Sequence, residues 1–359
     1  MPLPSPRVSR RQFLAGSMAA GAAVMCGGLS GAAAPVGRGI PAARRRELAA
    51  DESKALITIT LDLEMSRHYP KRGMMEWDFQ KGNLDDATKA YSVAAAEKAA
   101  AKGGFIHFFC VGRVLEHKSV DWLNTLIQGG HPIGNHTYDH VYVLASTPEK
   151  AQFRFRRSPW LAQGKTTAEL IEENIRITTV AMQDRLKIKP DGFRTPGGFQ
   201  TALDGRADIQ QMLLDQGFSW VSCKYPAHEA GEEHQEPTAA VYESIVAAQA
   251  AAQPYVYPSG LVEVPMSPIS DVNAFRTKFW KLEYFKKAIR LGVEWAIENR
   301  ACYDFLAHPS CLVVEDPQAE TIQMICDIVN DAGDKAVIVD CDTIAERARL
   351  RHKPSAETK

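Results

Sequence analysis

A chain of 359 residues has material for one large α/β domain or two small ones. Its 45% hydrophobic and 24% charged residues suit a packed globular protein and exclude a disordered one. Formal net charge is -1, and the first 34 residues hold Arg7, Arg10 and Arg11 with no acid, which leaves the remainder at -4. A mildly acidic body gives no electrostatic basis for nucleic acid or an anionic membrane as partner.

At the N-terminus, Ser9-Arg10-Arg11-Gln12-Phe13-Leu14 resembles the twin-arginine export consensus. A small, apolar stretch over 15–24 and an Ala32-Ala33-Ala34 end follow it. No long Leu/Ile/Phe-rich run is present, so residues 1–34 read as a signal peptide and not as a membrane anchor. Met25 before Cys26 also argues against a lipid anchor. The expectation is export by the twin-arginine machinery to the periplasm or the outside. Of the 7 cysteines, Cys110, Cys223, Cys302, Cys311, Cys326 and Cys341 follow the signal. No CxxC pair occurs, which argues against a cysteine zinc cluster and leaves buried free thiols as the expectation.

Residues 35–54 are polar and small and read as a linker. From there strand and helix signals alternate. Residues 56–62 alternate apolar and polar as a strand does, and 86–102 are rich in helix formers. Strands are predicted at 105–111 and 131–135, with a helix at 120–127 between them. Thr166 opens a long helix to about Lys187, with Leu170, Ile171, Ile175 and Val180 along one side. Further strands are expected at 192–194, 218–223, 261–265, 303–307 and 336–340, and helices at 204–215, 282–299 and 317–330. The proline-rich stretch 224–260 reads as an insertion or lid loop. Residues 348–359 read as a polar tail. Repeated strand–helix units point to a parallel sheet, and about eight strands favour barrel-like closure. No G-x-G-x-x-G follows the first strand, which removes the usual dinucleotide reading.

The suspicious side chains follow strand ends, where barrels of this kind place catalysis. Asp62 closes the first strand and Glu64 lies two residues on, on the same face. Two carboxylates so close call for a cation or a proton between them. His136 and His140 follow the third strand, spaced i and i+4 so that one helical turn would bring them to one metal. Arg194 ends the fourth strand and His308 follows the seventh. Two neutral nitrogens and one carboxylate leave a fourth ligand position open, as in a catalytic zinc site. His228, Glu229, Glu232, Glu233, His234 and Glu236 are set aside as a solvated loop, and His107 as a core histidine. His68 has no spacing argument to place it at the site. Trp77, Trp160 and Trp220 are candidates for stacking on sugar rings, whereas Trp122 and Trp295 are expected in the core.

Taken together, these segments resemble the polysaccharide deacetylases of carbohydrate esterase family four, the NodB-homology domain, over 55–347. His136-Thr137-x-x-His140 fits the family's metal motif, Arg194-Thr195-Pro196-Gly197-Gly198 its R-x-P-x-G motif, and Leu306-Ala307-His308 its L-x-H motif. The family pattern of adjacent acids is altered here, because Leu63 separates Asp62 from Glu64. Ser219 stands where the family has an acid before Trp220, so support for His308 falls to Asp271 or Asp304.

The resemblance implies a distorted (β/α) barrel and a divalent metal, zinc first and Co2+ or Ni2+ next, held by Glu64, His136 and His140. Asp62 would be the base, oriented by Arg194, although the reverse assignment of the two acids stays open. The backbone N–H of Gly197 would stabilise the oxyanion, and His308 would protonate the departing amine. The reaction implied is removal of N-acetyl groups from a cell-wall or matrix polysaccharide. The competing readings are an allantoinase-like hydrolase of a small cyclic amide or ureide, and an inactive glycan-binding protein.

Overall fold

The computed structural model describes residues 39–66 and 80–352. The expected signal 1–34, His68, Trp77 and residues 353–359 lie outside them. Its elements begin α1 (Ala42–Ala50), β1 (Ala55–Leu63), α2 (Asp86–Ala101), β2 (His107–Cys110), α3 (Asp121–Gln128), β3 (Ile133–Asn135), α4 (Pro148–Ala151), α5 (Phe153–Arg157) and α6 (Thr167–Leu186). They continue with β4 (Gly192–Phe199), α7 (Ala207–Asp215), β5 (Trp220–Lys224), α8 (Ala239–Ala248), β6 (Tyr255–Val256), β7 (Val262–Glu263) and α9 (Leu282–Asn299). Last come β8 (Cys302–Ala307), α10 (Pro309–Glu315), α11 (Glu320–Asp331), β9 (Ala336–Ile338) and α12 (Cys341–His352).

The strands form one curled sheet in the order β6-β7-β5-β4-β3-β2-β1-β8, parallel except at β6. β9 and β2 share one edge of β1, β9 pairing with its first half and β2 with its second. β8 takes the other edge, from Leu56 opposite Cys302 to Leu61 opposite Ala307. The ring is completed without a regular ladder by the extended chain after β7. There Val264 N donates to Val221 O at 2.8 Å on one side, and Ser267 N donates to Asp304 O at 3.0 Å on the other. This is a distorted (β/α) barrel.

Burial follows from that position. Every residue of β1 is buried, so its alternation separates two kinds of interior and not core from water. Ile57, Ile59, Leu61 and Leu63 face the outer helices in the main apolar cluster. Thr58, Thr60 and Asp62 face into the barrel. The barrel floor is apolar, built from Leu56, Phe109, Trp220, Val262 and Cys302 with the start of α12. Above it lies Arg194, whose guanidinium stacks 4.2 Å from the Phe109 ring centroid. β4 and β5 approach so closely that a Cβ at Gly192 would meet the Trp220 ring at 1.9 Å. Gly192→Ala is therefore expected to destabilise the fold by about 1–3 kcal/mol through overpacking, read as a drop in the midpoint of chemical denaturation with unchanged slope.

Several expectations need correction. Residues 42–50 are a helix and not a linker. The buried Arg347 of α12 donates to Leu48 O at 3.1 Å, Ala49 O at 3.2 Å and Asp51 O at 2.7 Å, satisfying carbonyls that a helix end leaves open. α12 runs to His352, so the polar tail starts later than 348. The stretch 224–260 is not a plain loop, since it holds α8 and the edge strand β6. Val180 is 49% exposed, and Thr178 and Met182 complete the buried face of α6 instead. Trp220 is buried in the floor, its Nε1 donating to Asp342 at 2.7 Å, and is unavailable to a sugar. Trp160 is exposed, while Trp122 and Trp295 pack against the core. The six described cysteines are free and buried. No helix among the described residues is long and apolar enough to cross a membrane.

Candidate metal centre and its pocket

The carboxyl ends of β1, β3, β4 and β8 deliver the candidate side chains to one rim. Glu64, just past β1, places Oε2 2.6 Å from His140 Nε2 and 3.7 Å from His136 Nε2. One ligand atom from each of these three residues lies within 4.8 Å of the other two, and no other such group of three occurs among the described residues. The acidic loop containing His228 and His234 forms no cluster of this kind. His234 stacks on Phe279. His107 is a core histidine, stacked on Phe109 and accepting from Cys341 N.

The two metal-motif histidines do not share a helical turn. Thr137 and His140 both adopt left-handed backbone, with φ of 59° and 61°. That conformation is costly for residues with a Cβ and persists only where the surroundings fix it. Here Asn135 Oδ1 accepts from Thr137 N at 2.8 Å, Asn174 Oδ1 from Asp139 N at 2.9 Å, and Thr137 Oγ1 from Val141 N at 2.9 Å. Asp139 is also ion-paired with Arg154. The strapped loop brings the imidazole rings to 5.1 Å.

These residues fit a divalent ion on two observations. His136 Nδ1 donates to Arg194 O at 3.0 Å, which leaves Nε2 as the lone-pair nitrogen. That Nε2 is buried and has no hydrogen-bond partner, a cost that a ligand would remove. Burial, with Lys81 adding to it, depresses His140 to about 3, so its ring is neutral as coordination requires. Burial alone would raise the Glu64 carboxyl. The Lys81 ammonium and the neighbouring histidines outweigh it and hold Glu64 well below the usual range.

Asp62 and His308 flank the ligand set. Asp62 Oδ2 lies 3.8 Å from His136 Nε2 and 3.9 Å from His308 Nε2. Arg194 Nη1 donates to Thr60 Oγ1 at 2.7 Å and to Asp62 Oδ1 at 3.3 Å, while Nη2 donates to Asp304 Oδ2 at 2.5 Å and Ser222 Oγ at 3.1 Å. Asp304 is thereby committed to Arg194, and Asp271 is the support of His308. Asp271 Oδ1 pairs with His308 Nδ1 at 2.8 Å, and its Oδ2 accepts from His308 N at 2.7 Å. Burial opposes a charge on His308, but Asp271 and then Glu64 overcome it and raise the imidazolium pKa. Gly197, at φ 76°, is exposed on the pocket wall with open space where a Cβ would stand.

These groups open into a cavity of about 240 Å³, walled further by Tyr225, Met266, Ser270, Arg276 and Leu306. Lys81 and the wall residues Tyr225, Met266, Ser270 and Arg276 are what the motifs did not reveal. His136→Ala or His140→Ala is expected to abolish stoichiometric metal binding, measured by elemental analysis after dialysis. Either variant retaining a full equivalent would remove these side chains from the ligand set.

The family profile described as polysaccharide deacetylase matches residues 83–212. No curated protein sequence matches the chain. Among solved structures, a protein from Mycobacterium smegmatis assigned as a polysaccharide deacetylase shares the fold at a TM-score of 0.56 and 14% identity, over 84% of this chain and 92% of that one. One from Pseudomonas aeruginosa PAO1 with the same assignment gives 0.56 at 13% identity, over 83% and 91%. PuuE allantoinase gives 0.55 at 11% identity, over 85% and 94%.

Proposed function

We propose that the chain, whose residues 83–212 match the polysaccharide deacetylase profile, is a member of that family and hydrolyses the C–N bond of N-acetyl groups on a cell-wall or matrix glycan. The observation that carries this reading is the orphaned His136 Nε2, converging with His140 Nε2 and Glu64 Oε2 on a pocket that also holds Asp62 and His308. A divalent ion, zinc by its two-nitrogen, one-carboxylate donor set, would supply Lewis acidity at those three ligands.

The chain's own residues do the rest. Asp62, fixed by Arg194, accepts the proton of the attacking water. The Gly197 N–H donates to the oxygen on which charge develops, and the missing side chain lets substrate reach it. His308, held by Asp271 through both ring and backbone, gives a proton to the departing amine. Asp271→Asn keeps the shape but removes the charge that favours the imidazolium. It is expected to lower kcat at least about tenfold, with the alkaline fall-off of the rate profile, set by loss of the His308 proton, moved to lower pH.

Export is part of the proposal. It is supported by the twin-arginine-like run at 9–14 and would bring the protein to periplasmic or extracellular glycan. The test is elemental analysis of the mature protein alongside acetate release from N-acetylglucosamine oligomers and peptidoglycan. Bound metal with acetate released supports the reading. Bound metal with no acetate from any glycan overturns it in favour of a small cyclic amide.

A further inference from the structure

The Glu64 carboxylate is engaged on both of its oxygens. Oε2 faces the two imidazoles, whereas Oε1 meets Lys81 Nζ at 2.5 Å and lies 3.8 Å from His308 Nε2. Lys81 is 1% exposed, and a lysine is almost never sealed so fully unless paired.

The backbone around Lys81 is fixed to the end of β1. Gly82 N donates to Glu64 O at 2.6 Å, Ser66 Oγ donates to Asn83 O at 2.6 Å, and Asp85 N donates to Ser66 Oγ at 2.9 Å. The return turn depends on Gly82, at φ 84°, where a Cβ would stand 2.3 Å from Arg113 Cβ. The lysine is thus built against Glu64 from the main chain outward.

The charges follow the same plan. Asp62, Glu64, Asp271 and Asp304 are buried around the pocket, with Arg194 and Lys81 as fully buried cations beside them. Arg194 serves Asp62, and Lys81 serves Glu64.

We infer that Lys81 is a positioning residue of the metal centre: it holds Glu64 by Oε1 so that Oε2 faces the imidazoles, and its own charge moderates how tightly a divalent ion is held. This rests on the metal reading above. Two effects of removing the ammonium oppose each other. Glu64 loses one charge-assisted hydrogen bond, which loosens a ligand. The ion loses a repulsion acting on both units of its charge across a few ångströms of low-dielectric interior, which is the larger effect.

The test uses full-length protein, Zn2+ affinity by chelator competition, and thermal unfolding with metal removed. Lys81→Met is expected to bind Zn2+ at least about tenfold more tightly and to unfold at a lower temperature when metal-free. Lys81→Arg should stay near the parent protein in both measurements. In a Glu64→Gln background the thermal penalty of Lys81→Met should vanish, because the effect acts through that carboxylate. A lysine that only fills space would cost the same in both backgrounds. Lys81→Met that folds only with Zn2+ supports the inference as well. Unchanged or weaker Zn2+ binding by Lys81→Met, or an equal penalty in both backgrounds, overturns it. Parent protein that binds no Zn2+ overturns the metal reading itself, which the binding curve separates from failure of the Lys81 role.

Discussion

Asp62→Asn is expected to keep its metal and to lose kcat by about 10²–10⁴-fold, the range for removing a general base. The amide preserves the shape of the side chain and can still accept from Arg194 Nη1. It cannot take up a proton. The two acids lie almost equally far from His136 Nε2, Asp62 Oδ2 at 3.8 Å and Glu64 Oε2 at 3.7 Å, but Glu64 Oε2 also lies 2.6 Å from His140 Nε2 and completes the one group of three ligand atoms found among the described residues. On that difference we propose Glu64 as the metal ligand and Asp62 as the base that takes the water's proton. Metal content by elemental analysis and acetate release measured on one preparation check the assignment. Loss of metal would exchange the roles of the two acids, and full turnover would remove Asp62 from the mechanism.

Arg194→Met should cost about 3–5 kcal/mol of folding stability, because it strands buried charges that the cation had compensated. Its guanidinium touches Thr60, Asp62, Ser222 and Asp304 and lies over the Phe109 ring, with no exposure to solvent. A methionine replaces the packing and none of the charge. The loss should vary with pH in a stated direction. Burial outweighs Arg194 and already lifts Asp304 to about 6, above its unfolded value near 3.8. The folded protein therefore binds the extra proton, a contribution complete below pH 3.8 and lost as pH rises through 6. Removing the cation enlarges that shift. The variant's deficit in denaturant titrations should be smaller at pH 5 than at pH 8, and an equal deficit at both would contradict the charge account.

The parts of the site that local chemistry encodes were legible in the sequence. Strand parity put Asp62 and Glu64 on one face, and Asp62, His136 and His308 fell at or just past strand ends, where the fold collects them; Arg194, expected at the end of its strand, is instead the third residue of β4. The geometry joining His136 to His140 was not legible. It depends on left-handed Thr137 and His140, held by Asn135 and Asn174, and i to i+4 spacing carries no trace of that. Asp271 and Asp304 were equivalent on paper. Tertiary pairing separates them, Asp271 to His308 and Asp304 to Arg194. Lys81 returns to Glu64 from 17 residues away with no periodic signal. The first helix escaped notice because it is held through its carbonyls by Arg347, with little apolar stripe. Val180 fell off the buried face because the 171, 175, 178, 182 spacing passes it by.

The clasp between α1 and α12 fixes the polarity of the molecule. Arg347 on the main-chain oxygens of 48–54, Arg45 on Asp342 and Arg351 on Glu52 gather both ends of the described chain near the start of β1, while the reacting groups sit where the strands finish. The first and last described residues therefore lie at the back of the barrel. The mouth is left clear of both, and the close approach of the two ends of the described chain suits the barrel to circular permutation.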